Sequence, residues 1–181
     1  MNIRLAFPLL LALLLPLAAS AASIVAWDVP TMTLRSSAVV EARVESVTTE
    51  RGRDGSLQTR NTLKVESWLA GSGPDRLDVL QFGGTWEGRE QRLVGDFRLR
   101  PGERAVLFLR GEGDERHATL LAWSVFHVEG KGDEAAVVRD TTGLSTFVPG
   151  SDARLVPVDP EVSPAPRTLR ELRAAVRGTD R

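Results

Sequence analysis

The chain has 181 residues, a formal net charge of -1, 42% hydrophobic residues and 26% charged residues, which are the proportions of one globular domain. It contains no cysteine, no tyrosine and two histidines, which excludes disulfide frameworks, thiolate nucleophiles, thiolate zinc sites and tyrosine acid–base chemistry. The nearly balanced charge lacks the basic surplus of a nucleic-acid-binding domain, so no nucleic acid is expected as a partner.

Residues 1–21 are predicted to be a signal peptide. Arg4 supplies a positive start, an apolar run covers residues 5–19, and Ala19-Ser20-Ala21 offers the small-x-small pattern that signal peptidase accepts. The run is shorter than the roughly 20 residues of a bilayer span, and its prolines also disfavour a retained membrane anchor. We therefore expect an exported protein, periplasmic or secreted, with no membrane span after cleavage. The N-terminal segment that follows, residues 22–36, is assigned no helix or strand.

A β-barrel domain is predicted over residues 37–150, beginning with a hairpin. The first strand alternates with period two, and one face is apolar while the other carries Glu41, Arg43 and Glu45. Asp54-Gly55 is a turn signal, the return strand covers residues 57–65, and a third strand covers residues 76–82. The pattern is typical of strands that bury one face.

The second half of this domain is punctuated by glycines. Gly83-Gly84 predicts a bend that needs positive φ or close backbone approach, followed by a second hairpin that uses residues 91–97. Residues 105–109 are apolar on both faces, which indicates a central strand buried on both sides. A strand over residues 119–129 is expected, with a bulge near Trp123-Ser124, and residues 135–139 and 144–148 form a weaker terminal hairpin.

A proline-rich connector, residues 151–166, leads to a C-terminal helix over residues 167–178. Thr168 and Glu171 form a capping box, and the apolar face consists of Leu169, Leu172, Ala175 and Val176. Because so short a helix is unstable alone in water, we expect it to dock on the barrel. No helix is predicted before it. The expected fold is mainly β, a sandwich or small barrel with a short C-terminal α-helix.

Several segments in this order resemble an uncharacterised family of small exported bacterial proteins. The resemblance rests on residues 37–47, residues 59–71, Phe82-Gly83-Gly84, residues 101–109 and the final helix. It implies a small OB-like antiparallel β-barrel, related in outline to netrin and tissue-inhibitor-of-metalloprotease modules. It implies no catalytic or binding residues. The chain lacks the N-terminal cysteine with which such inhibitors engage zinc, so an identical inhibitory mechanism is ruled out.

Both histidines are weighed as possible site residues. His117 follows a turn rich in acidic residues, Glu112, Asp114 and Glu115, which offers metal ligands, but the spacing matches no calcium loop or zinc helix. A solvated turn is the favoured interpretation. His127 is expected to be a half-buried structural residue, because neither histidine comes with a recognisable acid partner or nucleophile. No catalytic, cofactor-binding or metal-ligating residue is assigned, and no cofactor is expected.

Aromatic and basic residues supply the remaining candidates. Phe82, Trp86 and Trp123 are possible exposed binding aromatics, with core packing as the alternative, and Trp86 is the one most expected at the surface. Gly83-Gly84 is not a phosphate loop, since no Gly-Lys-Ser/Thr follows. The final helix carries Arg167, Arg170, Arg173 and Arg177, for which a solvated outer face is favoured over contact with anionic lipid.

These features favour a non-catalytic exported β-barrel module that binds a protein or a cell-surface component, the partner being an exported protein. The alternative is a regulator or inhibitor of an exported protease. A metal-dependent hydrolase that uses His117 and neighbouring carboxylates comes third.

Overall fold

The structure is a computed structural model that describes residues 21–113, 116–160 and 165–179. The predicted signal peptide lies almost entirely outside the described residues, as do the acidic residues 114 and 115 of the turn before His117. The described elements, in chain order, are β1 Ala22–Val25, α1 Val29–Arg35, β2 Ala38–Arg51, β3 Leu57–Ala70, β4 Arg76–Trp86, β5 Arg89–Arg92, β6 Arg104–Arg110, β7 His117–Ala122, β8 Val125–Glu129, β9 Ala136–Val138, β10 Leu144–Pro149, β11 Leu155–Val158 and α2 Leu169–Arg177.

The fold is mainly β, as the alternating pattern predicts. The large sheet has the order β5-β4-β3-β2-β6-β8-β9, and β7 also pairs with β6. Neighbouring strands of this sheet are antiparallel. The sheet curls into a half-barrel, and an isolated parallel bridge joins Val79 of β4 to Arg116, just before β7. The Leu80 N–H donates to the Arg116 carbonyl at 2.8 Å. A smaller sheet, β1-β10-β11, completes the fold.

The predicted first hairpin is confirmed. The strands β2 and β3 have 14 residues each and are joined by a turn that contains Asp54 and Gly55. The Asp54 carboxylate accepts the Ser56 N–H at 3.0 Å, and Gly55 has a φ of +83°, a conformation that glycine adopts without steric cost. Local turn chemistry therefore sets the register of the two longest strands.

Strand β6 separates two hydrophobic cores, as its apolar pattern predicts. Ala105, Leu107 and Leu109 face the inner core, which the curled sheet surrounds together with Leu63. The side chains on the opposite face of β6 belong to an outer core, which lies between the sheet and both helices; its fully buried members include Val106, Phe108, Met32 and Leu172. A strand buried on both faces needs no polar alternation.

Helix α1 is not predicted by the sequence analysis, which placed no helix before the C terminus. Asp28 caps it by accepting the Thr31 N–H at 2.9 Å, and Pro30 occupies its first turn. Both are helix-start signals. Seven residues are too few to show a hydrophobic period, and the helix is held by burying Val29 and Met32 in the outer core.

The C-terminal helix α2 is confirmed. The Thr168 hydroxyl accepts the Glu171 N–H at 3.3 Å, which caps the helix as predicted. Leu169, Leu172 and Val176 are buried in the outer core, while Ala175 is partly buried against it. Burial of each such leucine contributes about 1.5–3 kcal/mol, so docking on the sheet stabilises a helix that is too short to persist alone.

The predicted second hairpin is misplaced. Strand β4 continues through Gly83-Gly84, and the hairpin turn lies instead at Glu87-Gly88. Its partner β5 is Arg89–Arg92, so the predicted strand over residues 91–97 is mostly irregular backbone. The predicted need for positive φ and close backbone approach at these glycines is confirmed. Gly83 and Gly84 have φ of +89° and +142°, and a Cβ on Gly83 would lie 2.2 Å from the Gln91 carbonyl oxygen.

The segment after β6 also departs from the prediction. The expected strand over residues 119–129 is two strands, β7 and β8, that pair with successive parts of β6 and are joined by a turn at Trp123-Ser124. The predicted terminal hairpin is wrong, because β9 pairs with β8 whereas β10 pairs with β1 and β11. Strand β11 lies within the predicted proline-rich connector. Strands that are distant in sequence, such as β1 and β10, therefore pair with each other, and long-range packing decides the pairing more than sequence proximity does.

Candidate functional site

A groove crosses the open side of the large sheet. Its walls come from β4, the irregular segment after β5, and the strands β8 and β9, and its volume is about 990 Å³. Four apolar side chains that line it are 38–65% exposed: Phe82, Leu93, Val94 and Val138. Exposed apolar residues that share one concave surface are typical of a binding site, whereas single exposed residues are ordinary.

Arg139, directly after β9, is among the residues that border this groove, but its side chain packs on the outer-core face of the sheet. Its guanidinium carbon lies 4.1 Å from the ring centroids of Trp123 and Phe126. Its buried Nε has no hydrogen-bond partner within the described part of the chain. Burial lowers the pKa of Arg139 to about 9, because exclusion of water disfavours the charged form of a cation. Arg139 is therefore charged at neutral pH and is held mainly by cation–π contact.

His127 pairs with Glu103 at the same end of the groove. Its Nδ1 contacts the Glu103 Oε1, and the other carboxylate oxygen accepts the Arg100 N–H at 2.8 Å. The prediction of a half-buried histidine is confirmed, but the expectation that it has no acid partner is wrong. The antiparallel pairing of β6 with β8 places Ala105 opposite His127 and so brings Glu103 close. The pair fastens the turn before β6 to β8.

His117 lies at the start of β7, where backbone and ring contacts surround it. Its Nδ1 is 3.0 Å from the Leu80 carbonyl oxygen, and its ring stacks on Phe82 with centroids 6.1 Å apart. Within residues 21–113, 116–160 and 165–179, the structure shows no group of three or more ligand residues that could hold a metal ion. These contacts of His117 are those of a residue at a strand junction.

The structure separates the three candidate aromatics. Trp123 is 1% exposed and its Nε1 donates to the Trp27 carbonyl at 2.8 Å, so its interpretation as an exposed binding residue is wrong. Phe82 lines the groove, and Trp86, exposed as expected, lines a separate pocket of about 440 Å³ near the β2–β3 turn. The buried ring of Trp123 packs against the Arg139 guanidinium.

Arg173 of α2 does not lie on a solvated outer face, as the sequence analysis favoured. Its guanidinium donates to the Glu41 Oε2 from Nη2 at 2.6 Å and from Nε at 3.1 Å, and also contacts Asp133. The hydrogen bond with Glu41 raises the pKa of Arg173. Glu41 is 2% exposed, so this ion pair joins α2 to the sheet. The solvated interpretation holds for Arg170, which is 67% exposed and pairs with Glu134.

Sequence reasoning missed Arg139, which ends a run predicted as a simple strand. No local motif marks it, because its environment depends on the turn that carries Trp123 and on the pairing of β8 with β9. Sequence reasoning also missed the exposure of Leu93 and Val94. They were assigned to a strand that would bury one of them, whereas the irregular backbone leaves both exposed.

A scan against protein-family models finds no family that matches the chain, and a search of curated proteins finds no match either. Neither of the two helices in the described part of the chain has the length and apolar character needed to cross a bilayer.

Proposed function

We propose that the protein is a non-catalytic, exported β-barrel module that holds an extended, partly apolar segment of a partner protein in the groove. The observation that carries this proposal is that four exposed apolar residues, Phe82, Leu93, Val94 and Val138, border one groove of about 990 Å³. Covering these side chains removes apolar area from water, which favours association by about 25 cal/mol per Å² before the entropic costs of binding.

An OB-like topology forms part of the proposal. The strands β4-β3-β2-β6-β7 wrap around the inner core, and the parallel bridge between Val79 and Arg116 brings the first and last of them together. An OB barrel is a five-stranded, partly open barrel whose second and third strands present the ligand-binding face. The corresponding strands are β3 and β4, and β4 lines the groove. This placement supports a binding role.

Export is supported by the pattern of residues 1–21, with its positive start, apolar run and small residues before the expected cleavage point. N-terminal sequencing of the protein recovered from outside the cytoplasm of its native cells tests it. A mature chain that begins at Ala22 is the expected result. Recovery in the cytoplasm with Met1 retained would refute export without affecting the groove.

The binding role is tested by comparing two matched substitutions in the full chain. Val94→Glu introduces a charge into the groove, and Leu155→Glu introduces the same charge on β11, at a residue that does not line the groove and is 55% exposed. The partner is recovered by co-purification, identified by mass spectrometry and then recombined with the purified protein.

We expect the identified partner to bind the wild type and Leu155→Glu with similar affinity, and Val94→Glu at least tenfold more weakly. Melting temperatures of both variants serve as a control for folding. Equal affinity of all three proteins, or repeated recovery of the wild type without a partner, would overturn the proposed binding role.

A further inference from the structure

We infer that the pocket beside Trp86 is a second binding site, which takes an acidic saccharide with one sugar ring stacked on the Trp86 indole. This inference goes beyond the proposed function, because the exposed apolar residues of the groove do not line this pocket. Its basis is a pocket of about 440 Å³ that combines one exposed tryptophan with several hydrogen-bonding side chains. A volume of that size is typical of small-ligand sites.

The pocket lies between the β2–β3 hairpin and the β4–β5 hairpin, and the strand register directs its side chains inward. Residues that lie opposite each other in an antiparallel pair share one face, so Trp86 and Arg89 do so. Alternation along the strands places the Gly84–Gln91 pair on the same face. A Cβ on Gly84 would lie 2.4 Å from the Thr59 hydroxyl oxygen, so this face is turned toward β3. Trp86 therefore projects toward the β2–β3 hairpin.

The β2–β3 hairpin forms the opposite wall of the pocket. Arg51 lies opposite Leu57 in the register and shares the face of Thr49, which contacts the Gly84 position of the other hairpin. The Arg51 guanidinium lies over the turn, since a Cβ on Gly55 would be 3.5 Å from its Nη2. The Leu57 N–H donates to the Gln91 Oε1 at 3.0 Å and so joins the two hairpins. The two walls are therefore fixed before any ligand binds.

The charges that face the pocket favour an acidic ligand. Glu90 pairs with Arg92, and the register places both side chains on the face of β4–β5 that points away from the pocket. Glu87, in the hairpin turn, is the remaining carboxylate among the lining residues, against the two cations Arg51 and Arg89. One cation is therefore in excess. A guanidinium binds the two oxygens of a carboxylate through parallel N–H groups, so a single carboxylate on the ligand matches this excess.

Trp86 selects a sugar ring for the rest of the ligand. Its side chain is 38% exposed, and the face of an aromatic ring carries partial negative charge. The C–H hydrogens on one face of a pyranose ring carry partial positive charge, so that face stacks on an indole while the hydroxyl groups stay free to form hydrogen bonds. Arginine donates to such hydroxyl groups and Glu87 accepts from them.

A nucleic acid is the other ligand that combines stacking with negative charge. Its phosphates need a continuous basic path, whereas residues 50–54 and residues 87–92 each contain two arginines and two acidic residues. A saccharide that carries one carboxylate on a ring suits this mixed surface better than a chain with a phosphate at every residue.

The experiment is an NMR titration of the purified protein labelled with ¹⁵N at tryptophan, in which the indole N–H of Trp86 is assigned by its loss in Trp86→Phe. The probes are the tetrasaccharides of galacturonate and of mannuronate, the methyl ester of each, and a thymidine tetranucleotide. An acid and its ester share the sugar ring and differ in charge. Trp86→Ala removes the indole and Arg89→Gln removes one cation. Arg53→Gln is the matched control, at an exposed arginine that does not line the pocket.

We expect at least one acidic tetrasaccharide to shift the Trp86 signal and to bind roughly fivefold or more tightly than its methyl ester. Its affinity should fall about tenfold or more in Trp86→Ala, because the stacked ring is lost. It should fall several-fold in Trp86→Phe and in Arg89→Gln, and stay unchanged in Arg53→Gln. Melting temperatures serve as the control for folding, and they should change little because each substituted side chain is exposed.

The inference is overturned if neither acidic tetrasaccharide shifts the Trp86 signal, if the methyl esters bind as tightly as the acids, or if binding survives in Trp86→Ala. Tighter binding of the tetranucleotide than of either tetrasaccharide also overturns it and assigns the pocket to nucleic acid. Val94→Glu separates this site from the groove, because it should leave the bound saccharide unaffected. Loss of saccharide binding in Val94→Glu would place the sugar in the groove and refute a site at Trp86.

Discussion

Replacing Arg173 by methionine removes the cation that neutralises a buried carboxylate. Glu41 is 2% exposed, and its nearest remaining cation is Arg104, whose Nε is 3.7 Å from Oε1. Breaking one side of a buried ion pair costs about 3–5 kcal/mol, because the other charge stays buried. Arg173 is itself 27% exposed, so water replaces part of its contact, and we expect the free energy of unfolding to fall by about 3 kcal/mol.

This loss is measured by urea unfolding, followed by tryptophan fluorescence and by circular dichroism. For a domain of this size, about 3 kcal/mol corresponds to a fall of roughly 6–12 °C in melting temperature. Arg170→Met is the matched control on the same helix. Its pair with Glu134 is exposed on both sides, so that substitution should cost less than about 1 kcal/mol.

A second variant separates loss of charge balance from loss of packing. In Glu41→Gln combined with Arg173→Met, the buried group is neutral, and we expect most of the lost stability to return. The reasoning is refuted if Arg173→Met is as stable as Arg170→Met. It is also refuted if the double variant loses the sum of the two single effects, since the two charges would then act independently.

Three further outcomes follow from the core and the sheet. Gly84→Ala should lower stability by about 1–3 kcal/mol in urea unfolding, because its φ is +142° and a Cβ would lie 2.4 Å from the Thr59 hydroxyl oxygen. Leu172→Ala should cost about 2–5 kcal/mol by the same measurement, since it empties a fully buried site in the outer core. Asp96→Asn should be more stable than the wild type at neutral pH, because burial raises the pKa of Asp96 and the folded chain then carries a disfavoured charge. That difference should vanish below pH 3.8, the ordinary pKa, where both states are protonated; melting temperatures from pH 3 to 7 test it.

Strand β2 illustrates how far the sequence pattern reaches. Its period of two correctly predicts the inner face, where Val40, Ala42 and Val44 are buried. The same pattern assigns Glu41 to the polar face, but the structure buries it. The difference arises because α1 and α2 cover the other side of the sheet at that point, and the partner of Glu41 lies 132 residues away. Alternation within a strand reports one buried face and contains no information about a helix that docks later.

The candidate site depends on long-range pairing even more strongly. Local signals such as the cap at Thr168 and the turn at Asp54-Gly55 are predictable because their partners lie within three residues. The contact of His127 with Glu103 and that of Arg139 with Trp123 both depend on the register of β8 and on the turn that precedes it. The turn lies where the chain stops pairing with one part of β6 and begins to pair with another, and this long-range pairing is not visible in a single stretch of sequence.

The environment of Arg139 depends on both helices as well as on the sheet. Burial of a cation without an ion-pair partner costs folding free energy, and here cation–π contact with Trp123 and Phe126 offsets that cost. The outer core that contains both rings also contains Met32 and Leu172 of the two helices, so the helices indirectly support the platform under the guanidinium.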